Sequence, residues 1–401
     1  MARNPDIPLY ERYIEQYLDR ALTAPEIRED PPLRFHPEVD DYTMSMGMAQ
    51  TPRGRIWLGW FAGGDDERAV IVLAYSDDGG ETFSGPRFFL EPGYVECGIH
   101  LSAVVGNLWT APDGRLFLFF TQSLGYFDGR GGSWYSVCAN PDSATPEWSV
   151  PQRIWHGASL NKPTVLRDGS WFLPVALWPR EMIAIEAVGL FRTGERSGLF
   201  HELDPERKAQ VFVSKDAGKT WVKRGGAVNF DRTFDEHMIV ERNDGSLFMY
   251  LRSKHGTTKS ESFDGGYTWS EPVPAGFPNA SARFFLRRLR SGNLLLVRHA
   301  NPEEPEARSH LTAFLSDDEG ESWKGGLLLD ERHGISYPDG FQSEDGRIFI
   351  QYDYKRECGE ILLATFTEAD VLSGKDVSRE MRLKHTLVQS RTRRLEKAAE
   401  K

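Results

Sequence analysis

The sequence predicts an all-β fold, a six-bladed β-propeller preceded by a short N-terminal helix. Two repeated patterns carry this prediction. The first is an eight-residue pattern that occurs four times, at residues 76–83, 214–221, 262–269 and 316–323. The second is a glycine-containing turn followed by a hydrophobic strand, which occurs six times at intervals of roughly fifty residues. Such intervals fit four-stranded blades, and six blades lie within the usual size range of propellers.

The eight-residue pattern has the chemistry of a tight turn. The third copy reads S-F-D-G-G-Y-T-W, and the other copies keep the Ser, the Asp, the Gly and the terminal aromatic residue. An Asp side chain accepts backbone N–H bonds across such a turn, and Gly supplies a positive φ at little steric cost. The aromatic residue can pack against a neighbouring sheet. We therefore expect four aspartates to be turn residues and not catalysts: Asp78, Asp216, Asp264 and Asp318.

The six shorter turns predict hairpins, because Asp-Gly between alternating apolar residues is a strong hairpin signal. They lie at residues 52–55, 112–115, 167–170, 243–246, 290–293 and 344–347. The longest interval contains the polar segment 195–210, which predicts an insertion over one face with a short helix in it. The eight-residue pattern is missing near residues 141–148, where we expect a degenerate copy.

Segments at both ends lie outside these patterns. Apolar residues from Tyr13 to Leu22 share one face at helical spacing, so residues 10–23 predict a helix on the outside of the main domain. Pro25 ends this helix. The charged stretch after residue 389 predicts a solvated helical or frayed tail. The predicted organisation is therefore an N-terminal helical extension at 1–41, a propeller at 42–389 and a charged C-terminal tail at 390–401.

The net charge and the cysteine content limit the classes of partner that the protein is expected to bind. A net charge of -11 argues against nucleic acid, because phosphate binding needs a positive surface, although a local arginine cluster could still hold an anionic small substrate. Cys97, Cys138 and Cys358 show neither metal-ligand spacing nor a disulfide framework, so we expect no metal and no cofactor. The N-terminus has no apolar signal core, and no stretch approaches the length of a membrane span. We expect a cytoplasmic protein without a membrane partner.

The eight-residue pattern resembles the Asp box of the sialidase and BNR-repeat families. Four copies in one chain make this resemblance specific, and it extends over residues 42–368. In those families the Asp box marks the fold and lies on blade hairpins away from the active centre, and non-enzymes carry it too. The resemblance implies a sialidase-type propeller. As the leading function it implies a retaining exo-glycosidase that acts on an acidic sugar, with sialic acid as the best single guess.

The resemblance also implies catalytic residues. Tyr337, in S-Y-P-D-G-F-Q before the last short turn, falls on the nucleophile of the family. Glu236, in D-E-H-M-I-V-E before the fourth short turn, falls on the base beside it. A neutral phenol suits a substrate whose anomeric carbon carries a carboxylate, because a carboxylate nucleophile would be repelled. Asp65 falls in a loop like the one that holds the family's acid/base, and Asp66 beside it is a second candidate in the substrate site.

Arginines would bind the substrate carboxylate through bidentate hydrogen bonds. Arg252 and Arg308 fall on two of the three arginines that the family uses for this purpose. The third belongs to an R-I-P motif, and Met44 stands at the matching position. The third arginine is therefore missing or supplied from elsewhere. The candidates that lie near inner-strand signals are Arg283, His100 and Lys162.

Two other functions stay open. The substrate could be another sugar, such as a uronic acid, cleaved by hydrolysis or by elimination with Tyr337 or His237 as the base. The chain could also be a glycan-binding propeller without catalysis. A contact between Tyr337 and Glu236 within hydrogen-bond reach would favour an enzyme, and a large separation would favour a binder. In every case the expected partner is a carbohydrate, and the oligomeric state is left open.

Overall fold

Six antiparallel sheets follow one another around a central channel in the computed structural model, which describes residues 17–95, 98–185 and 197–399. The chain is therefore a six-bladed β-propeller, as the repeated patterns predict. Each blade has four strands from one contiguous stretch of chain. The first sheet has a fifth strand, which comes from the predicted N-terminal extension and pairs at the outer edge.

The strands of each blade are given in chain order, which is also their order from the channel outwards. The first blade holds β2 (Met44–Gln50), β3 (Ile56–Ala62), β4 (Val70–Ser76) and β5 (Phe88–Leu90), with the extra strand β1 (Ile27–Glu29) beside β5. The second holds β6 (Leu101–Thr110), β7 (Leu116–Leu124), β8 (Gly132–Cys138) and β9 (Gln152–Trp155). The third holds β10 (Thr164–Val165), β11 (Trp171–Ala176), β12 (Ala209–Ser214) and β13 (Val222–Ala227).

The second half of the ring repeats this arrangement. The fourth blade holds β14 (Arg232–Glu241), β15 (Leu247–Ser253), β16 (Gly256–Ser262) and β17 (Val273–Pro274). The fifth holds β18 (Phe285–Arg288), β19 (Leu294–His299), β20 (Leu311–Ser316) and β21 (Lys324–Asp330). The sixth holds β22 (Ile335–Gln342), β23 (Ile348–Tyr354), β24 (Glu360–Phe366) and β25 (Arg382–Gln389).

The described helices are short and lie outside the sheets. The α-helices are α1 (Pro37–Asp40), α2 (Glu368–Ser373) and α3 (Arg391–Ala399). The 3-10 helices are Leu18–Leu22, Leu33–Phe35, Arg180–Met182 and His201–Glu206, the last of them in the predicted insertion. Residues 10–16 of the helix predicted for 10–23 lie outside the described residues, and the remainder contains the 3-10 helix Leu18–Leu22. No helix in the described ranges is long and apolar enough to cross a membrane.

Both repeated patterns form the hairpins that they predict. Each short turn joins the innermost strand of a blade to its second strand, and each Asp box joins the third strand to the fourth. In the first Asp box, Asp78 accepts hydrogen bonds from the backbone N and the hydroxyl of Thr82, at 2.9 and 2.5 Å. Equivalent bonds form at Asp216, Asp264 and Asp318. The four aspartates are therefore turn residues, as expected.

A buried cluster of charged and polar side chains, which we call the central hub, lies between the blades. Its carboxylate is Asp339 on β22, which is 1% exposed. Asp339 accepts hydrogen bonds from Met48 N (3.0 Å), Asn107 Nδ2 (3.0 Å) and Arg283 Nη2 (3.2 Å), and it also binds the ammonium of Lys162. These partners come from several blades, so the hub ties the ring together across its axis.

The first and last blades meet without exchanging a strand, because every sheet is built from contiguous chain. We call this contact the closing seam. Asp353 of the last blade accepts a hydrogen bond from Ser45 N of the first blade at 3.1 Å. Thr43 N donates to the carbonyl oxygen of Arg356 at 2.7 Å. The ring is therefore closed here by side-chain and loop contacts, together with the bond from Met48 to the hub.

The C-terminal segment is helical, as predicted, and one side of it contacts the propeller while most of its residues are exposed. Lys397 and Arg393 of α3 contact the carboxylate of Glu360 at 2.6 and 3.3 Å. Thr392 donates to Asp41 at 2.7 Å. Glu360 is 1% exposed, and a buried carboxylate needs such counter-charges. Side chains of the tail therefore bind Glu360 of the last blade and Asp41 of the N-terminal segment. The sequence pattern alone did not indicate these contacts.

Candidate active site

Tyr337 on β22 and Glu236 on β14 meet at one end of the channel. The phenol of Tyr337 donates a hydrogen bond to Glu236 Oε1 at 2.7 Å. Both residues are buried, at 7% and 1% exposure. The contact that distinguishes an enzyme from a binder in the sequence analysis is therefore present.

Bulges in the innermost strands aim these side chains. The registers of β14 and β22 shift against their neighbouring strands at Asp235 to Met238 and at Ser336 to Asp339. Within these bulges Glu236 has a φ of 42° and Tyr337 a φ of 52°. Left-handed backbone is unfavourable for residues that carry a Cβ, and such conformations cluster at functional sites. A β-bulge changes the direction in which a side chain points. The bulges therefore account both for the strained backbone of Glu236 and Tyr337 and for the position of their side chains.

The protonation states of the pair are complementary. Burial raises the pKa of the Tyr337 phenol, and the nearby Glu236 carboxylate raises it further, so the phenol is neutral. Burial would also raise the pKa of Glu236, but the Arg252 guanidinium and the hydrogen bond from Tyr337 outweigh burial and lower it overall. The site therefore pairs a neutral phenol with an ionised carboxylate that can accept its proton.

Two predicted arginines lie beside this pair. Arg252 donates to Glu236 Oε1 at 3.0 Å. Arg308 donates to Ser336 Oγ at 2.9 Å and to the carbonyl oxygen of Ser281 at 3.0 Å. Burial lowers the pKa of Arg308, and the neighbouring Arg252 guanidinium lowers it further.

Arg308 makes no direct ion pair with a carboxylate in the described ranges, although the Glu236 carboxylate is near enough to oppose the fall of its pKa. Within the described ranges its two hydrogen-bond acceptors are neutral, and no carboxylate lies within ion-pair distance of its guanidinium. A partly buried cation without a directly bonded carboxylate is stabilised when an anion binds to it. The guanidinium fork also matches the geometry of a carboxylate. Arg308 is therefore well suited to bind an anionic group of a substrate.

Asp65 lies in the loop between β3 and β4, and its side chain is 39% exposed at the mouth of the site. Burial by the surrounding protein raises its pKa, Arg356 opposes this, and the Glu236 carboxylate adds to it, with a net upward shift. Asp66 differs, because hydrogen bonds from Arg68 outweigh the effect of burial and lower its pKa. Asp65, which is more easily protonated, is the better general acid of the two.

Arg283 and Lys162 are bonded to other groups of the protein, and their prediction as substrate contacts stays a prediction. The guanidinium of Arg283 is 1% exposed and donates to Asn161 Oδ1 (2.8 Å), to Met46 O (3.0 Å) and to the hub. Lys162 donates to the hub carboxylate and to Asn107. Their donors are used inside the protein. Arg283 still lies close to Tyr337, with its guanidinium carbon 5.7 Å from the centre of the Tyr337 ring.

The two predicted histidines also lie away from the reacting pair. His237 is 1% exposed, and its Nε2 lies 2.7 Å from the carbonyl oxygen of Gln210 in the third blade. This contact engages the Nε2 of His237 inside the protein, and its role as a base or substrate contact stays a prediction. His100 lies at the rim, where its ring is 4.3 Å from that of Tyr94. Among the described residues no hydrogen bond or ring contact joins His100 to Tyr337 or Glu236.

Arg356, which the sequence analysis did not select, lies in the site. It follows β23, and its guanidinium carbon is 4.8 Å from the centre of the Tyr337 ring. Its Nη1 is 3.3 Å from Met44 Sδ and 3.4 Å from Asp65 Oδ2. The only sequence signal is Asp353 three residues earlier, because a buried carboxylate requires a nearby cation. That signal depends on knowing that Asp353 is buried, which the sequence does not reveal.

Aromatic side chains that the sequence analysis also missed line one side of the site. The ring of Phe234 lies 5.2 Å from the guanidinium carbon of Arg252 and 5.0 Å from the ring of Trp178. Tyr126 stacks on Trp178 with ring centres 6.2 Å apart. Burial raises the pKa of Tyr126, and the Asp65 carboxylate adds to the shift, which places Tyr126 near the mouth. These rings therefore add aromatic surface beside the Arg252 guanidinium.

A separate cavity of about 880 Å³ opens at the opposite end of the channel. The short turns line it, including Arg53, Asp113 and Asp345, and Lys162 reaches it from the hub. Tyr337, Glu236 and Asp65 are not among its lining residues. The hub therefore separates this cavity from the site.

Comparisons with known proteins agree with this fold. A family model described as BNR repeat-like domain matches residues 54–350. No curated protein sequence matches the chain significantly. Among solved structures, the Hadza microbial sialidase Hz136 has a TM-score of 0.62 at 18% identity, over 84% of this chain and 68% of that chain.

Two further sialidase structures are similar. The NanB sialidase from Streptococcus pneumoniae has a TM-score of 0.60 at 12% identity, over 87% of this chain and 71% of that chain. The intramolecular trans-sialidase from Ruminococcus gnavus, in complex with oseltamivir carboxylate, has a TM-score of 0.59 at 14% identity, over 86% and 98%. At these identities the likeness establishes the fold and leaves the activity open. With the family match over most of its length, the chain belongs to the BNR repeat-like domain family.

Proposed function

We propose that the chain is a retaining exo-glycosidase of the sialidase type, acting on a sugar with a carboxylate at its anomeric carbon. The hydrogen bond from Tyr337 to Glu236, at 2.7 Å between two buried side chains, carries this proposal. An ionised carboxylate in this position can take the phenol proton as the phenol attacks. A tyrosine that served only in packing would not need a strained backbone or such a partner.

The first half of the reaction forms a glycosyl-enzyme. The phenolic oxygen of Tyr337 bonds to the anomeric carbon while its proton passes to Glu236. The bond from the anomeric carbon to the leaving oxygen breaks, and Asp65 gives its proton to that oxygen. The raised pKa of Asp65 and the lowered pKa of Glu236 suit these two roles.

The second half reverses the proton transfers with water. Asp65, now ionised, takes a proton from the water that attacks the anomeric carbon. The bond to Tyr337 breaks, and the phenolic oxygen recovers its proton from Glu236. Two displacements at one carbon retain its configuration.

The arginines favour an acidic sugar over a neutral one. Arg308 is a partly buried cation whose described partners are neutral, and Arg252 lies next to it beside Glu236. A substrate carboxylate would supply a directly bonded counter-charge and would fix the sugar through paired hydrogen bonds. The similar structures are named as sialidases, and one of them holds oseltamivir carboxylate, which supports an acidic sugar as the substrate class here.

The test is release of 4-methylumbelliferone from its α-sialoside, its β-glucuronide and its β-galactoside by the wild type and Tyr337→Phe. We expect turnover of an acidic glycoside, reduced in Tyr337→Phe on the order of 10³-fold or more. Tyr352→Phe is the matched control, because it removes another buried phenol, bonded to Asp330 at 3.1 Å away from the site. The control should keep its activity.

Each outcome selects one function. Turnover of the glucuronide alone would move the substrate to a uronic acid and overturn sialic acid. Turnover of the galactoside at the same rate would overturn the argument from the arginines. Absence of turnover with a folded protein would overturn the hydrolase and favour the glycan-binding propeller.

A further inference from the structure

Met44 stands where the resemblance places the third carboxylate-binding arginine, so the site has one such residue fewer than the family uses. Met44 is 1% exposed and lies on β2 of the first blade, at the closing seam. Its sulfur is 3.3 Å from Nη1 of Arg356, which belongs to the last blade. The two residues are 312 positions apart in the chain, and the seam alone brings them together.

We propose that Arg356 takes over the third carboxylate-binding position across the closing seam, beside Arg252 and Arg308. This inference rests on the proposed function, because it assigns a further residue to the same substrate carboxylate. Arg356 would thereby determine specificity for acidic over neutral sugars.

The position of Arg356 relative to the nucleophile supports this role. Its guanidinium carbon lies 4.8 Å from the centre of the Tyr337 ring, and Arg252 bonds the carboxylate that accepts the Tyr337 proton. Both Arg252 and Arg356 are close enough to Arg308 to lower its pKa, in addition to burial. Three guanidinium groups therefore surround one small space around the nucleophile. Like charges gathered in this way repel, and a bound anion relieves the repulsion.

The contacts that Arg356 makes within the protein leave binding capacity. Nη2 is buried and lies 3.7 Å from Asp353, beyond hydrogen-bond range, and it has no hydrogen-bond partner in the described part of the chain. Nη1 lies 3.4 Å from Asp65, a long contact with a carboxylate at the mouth. A good charged hydrogen bond is about 2.7–2.9 Å. Arg356 is therefore held near two carboxylates without being saturated by either.

The contact with Asp65 connects substrate binding to the acid. A substrate carboxylate bound by Arg356 competes with Asp65 for Nη1. Asp65 released from this contact is easier to protonate, because a nearby cation favours its ionised form. The same arginine can therefore hold the substrate and free the acid that serves the leaving group.

The first test compares a carboxylate with its methyl ester. We would measure kcat/KM for 4-methylumbelliferyl α-sialoside and for its methyl ester with wild type, Arg356→Met and Arg356→Lys. Arg356→Met should lower kcat/KM for the acid by about 10²-fold, since truncating one partner of a buried charge pair has effects of this size. It should change the value for the ester little. Arg356→Lys keeps the charge near Asp353 but loses the paired N–H donors of the guanidinium. Its kcat/KM for the acid should lie between the values for wild type and Arg356→Met.

Two further variants separate binding from folding. Arg332→Met is the matched control, because Arg332 is also an arginine over a tyrosine ring, 3.9 Å from Tyr354, outside the site. It should leave the acid-to-ester ratio unchanged. The exchange variant Met44→Arg/Arg356→Met puts an arginine back on the first blade and should recover part of the preference for the acid. A structural role for Arg356 would lower both values together and would show no recovery.

Direct binding keeps this inference distinct from the proposed hydrolysis. Calorimetry with 2-deoxy-2,3-didehydro-N-acetylneuraminic acid and its methyl ester needs no turnover. Binding of the acid that falls about 10²-fold in Arg356→Met, without turnover by wild type, would support Arg356 and overturn the hydrolase. Equal affinity of wild type and Arg356→Met for the acid would overturn the proposal, whatever the activity. Absence of acid binding by folded wild type would also overturn it.

Discussion

Loss of the hub carboxylate should destabilise the whole ring. Asp339 is 1% exposed and is the anionic partner of Arg283, at 3.2 Å, and of the ammonium of Lys162. Asp339→Asn removes the charge and keeps one oxygen as an acceptor. It leaves two cations inside the protein without their counter-ion, although the other hydrogen bonds of Arg283 remain.

The expected cost follows from the burial of this cluster. Breaking a buried ion pair by neutralising one partner costs about 3–5 kcal/mol, because the other charge stays desolvated. A native domain has about 5–15 kcal/mol of unfolding free energy, so Asp339→Asn should fold but with a large loss of stability. Asp345→Asn is the control, because the pair of Asp345 with Arg347 is exposed and should contribute less than about 1 kcal/mol.

The assay is urea unfolding followed by the fluorescence of the 11 tryptophans, with the free energy of unfolding obtained by linear extrapolation. A second substitution tests the cause. Lys162→Met should be destabilising alone but should recover part of the loss in the Asp339→Asn background, because it removes one stranded cation. A loss below about 1 kcal/mol in Asp339→Asn, or simple additivity with Lys162→Met, would refute the reasoning.

Two further predictions concern pH and the C-terminal helix. The raised pKa of Asp65 means that its acid form is present below that pKa and is lost as pH rises through it, so kcat should fall on the alkaline side. Asp65→Asn should remove that fall with 4-methylumbelliferone, a leaving group that needs little protonation; a fall that persists would assign it to another group. Deletion of residues 391–401 removes two cations bound to buried Glu360 and should cost about 3 kcal/mol in urea unfolding. Glu360→Gln in the deleted chain should recover part of this loss, and no recovery would contradict the role given to the tail.

The sequence predicted those parts of the fold that depend on local chemistry. The Asp boxes and the short turns need only neighbouring residues, because an Asp side chain and a Gly with positive φ build each hairpin by themselves. Their number and spacing were sufficient to predict six blades. The resemblance indicated Tyr337 and Glu236, and the structure brings their side chains together.

Other parts of the site depend on contacts between residues far apart in the chain, which local sequence patterns do not predict. A simple alternation along a strand tells which residues share a face, but the bulges at Glu236 and Tyr337 break that alternation. Arg283 was predicted to contact the substrate because it lies near an inner-strand signal. In the structure its guanidinium donates to Asp339 of the central hub. Arg356 was missed because its neighbour Met44 comes from the opposite end of the chain.

The closing seam also has a consequence for the order of assembly. Asp65 belongs to the first blade to be synthesised, and Tyr337 and Arg356 belong to the last. Since chains are made from the N-terminus and begin to fold during synthesis, these side chains meet only when the final blade docks on the first. A chain that ends before the last blade therefore lacks Tyr337 and Arg356. A circular permutant that joins the old termini and opens between the third and fourth blades would instead make both sides of the seam in one continuous stretch.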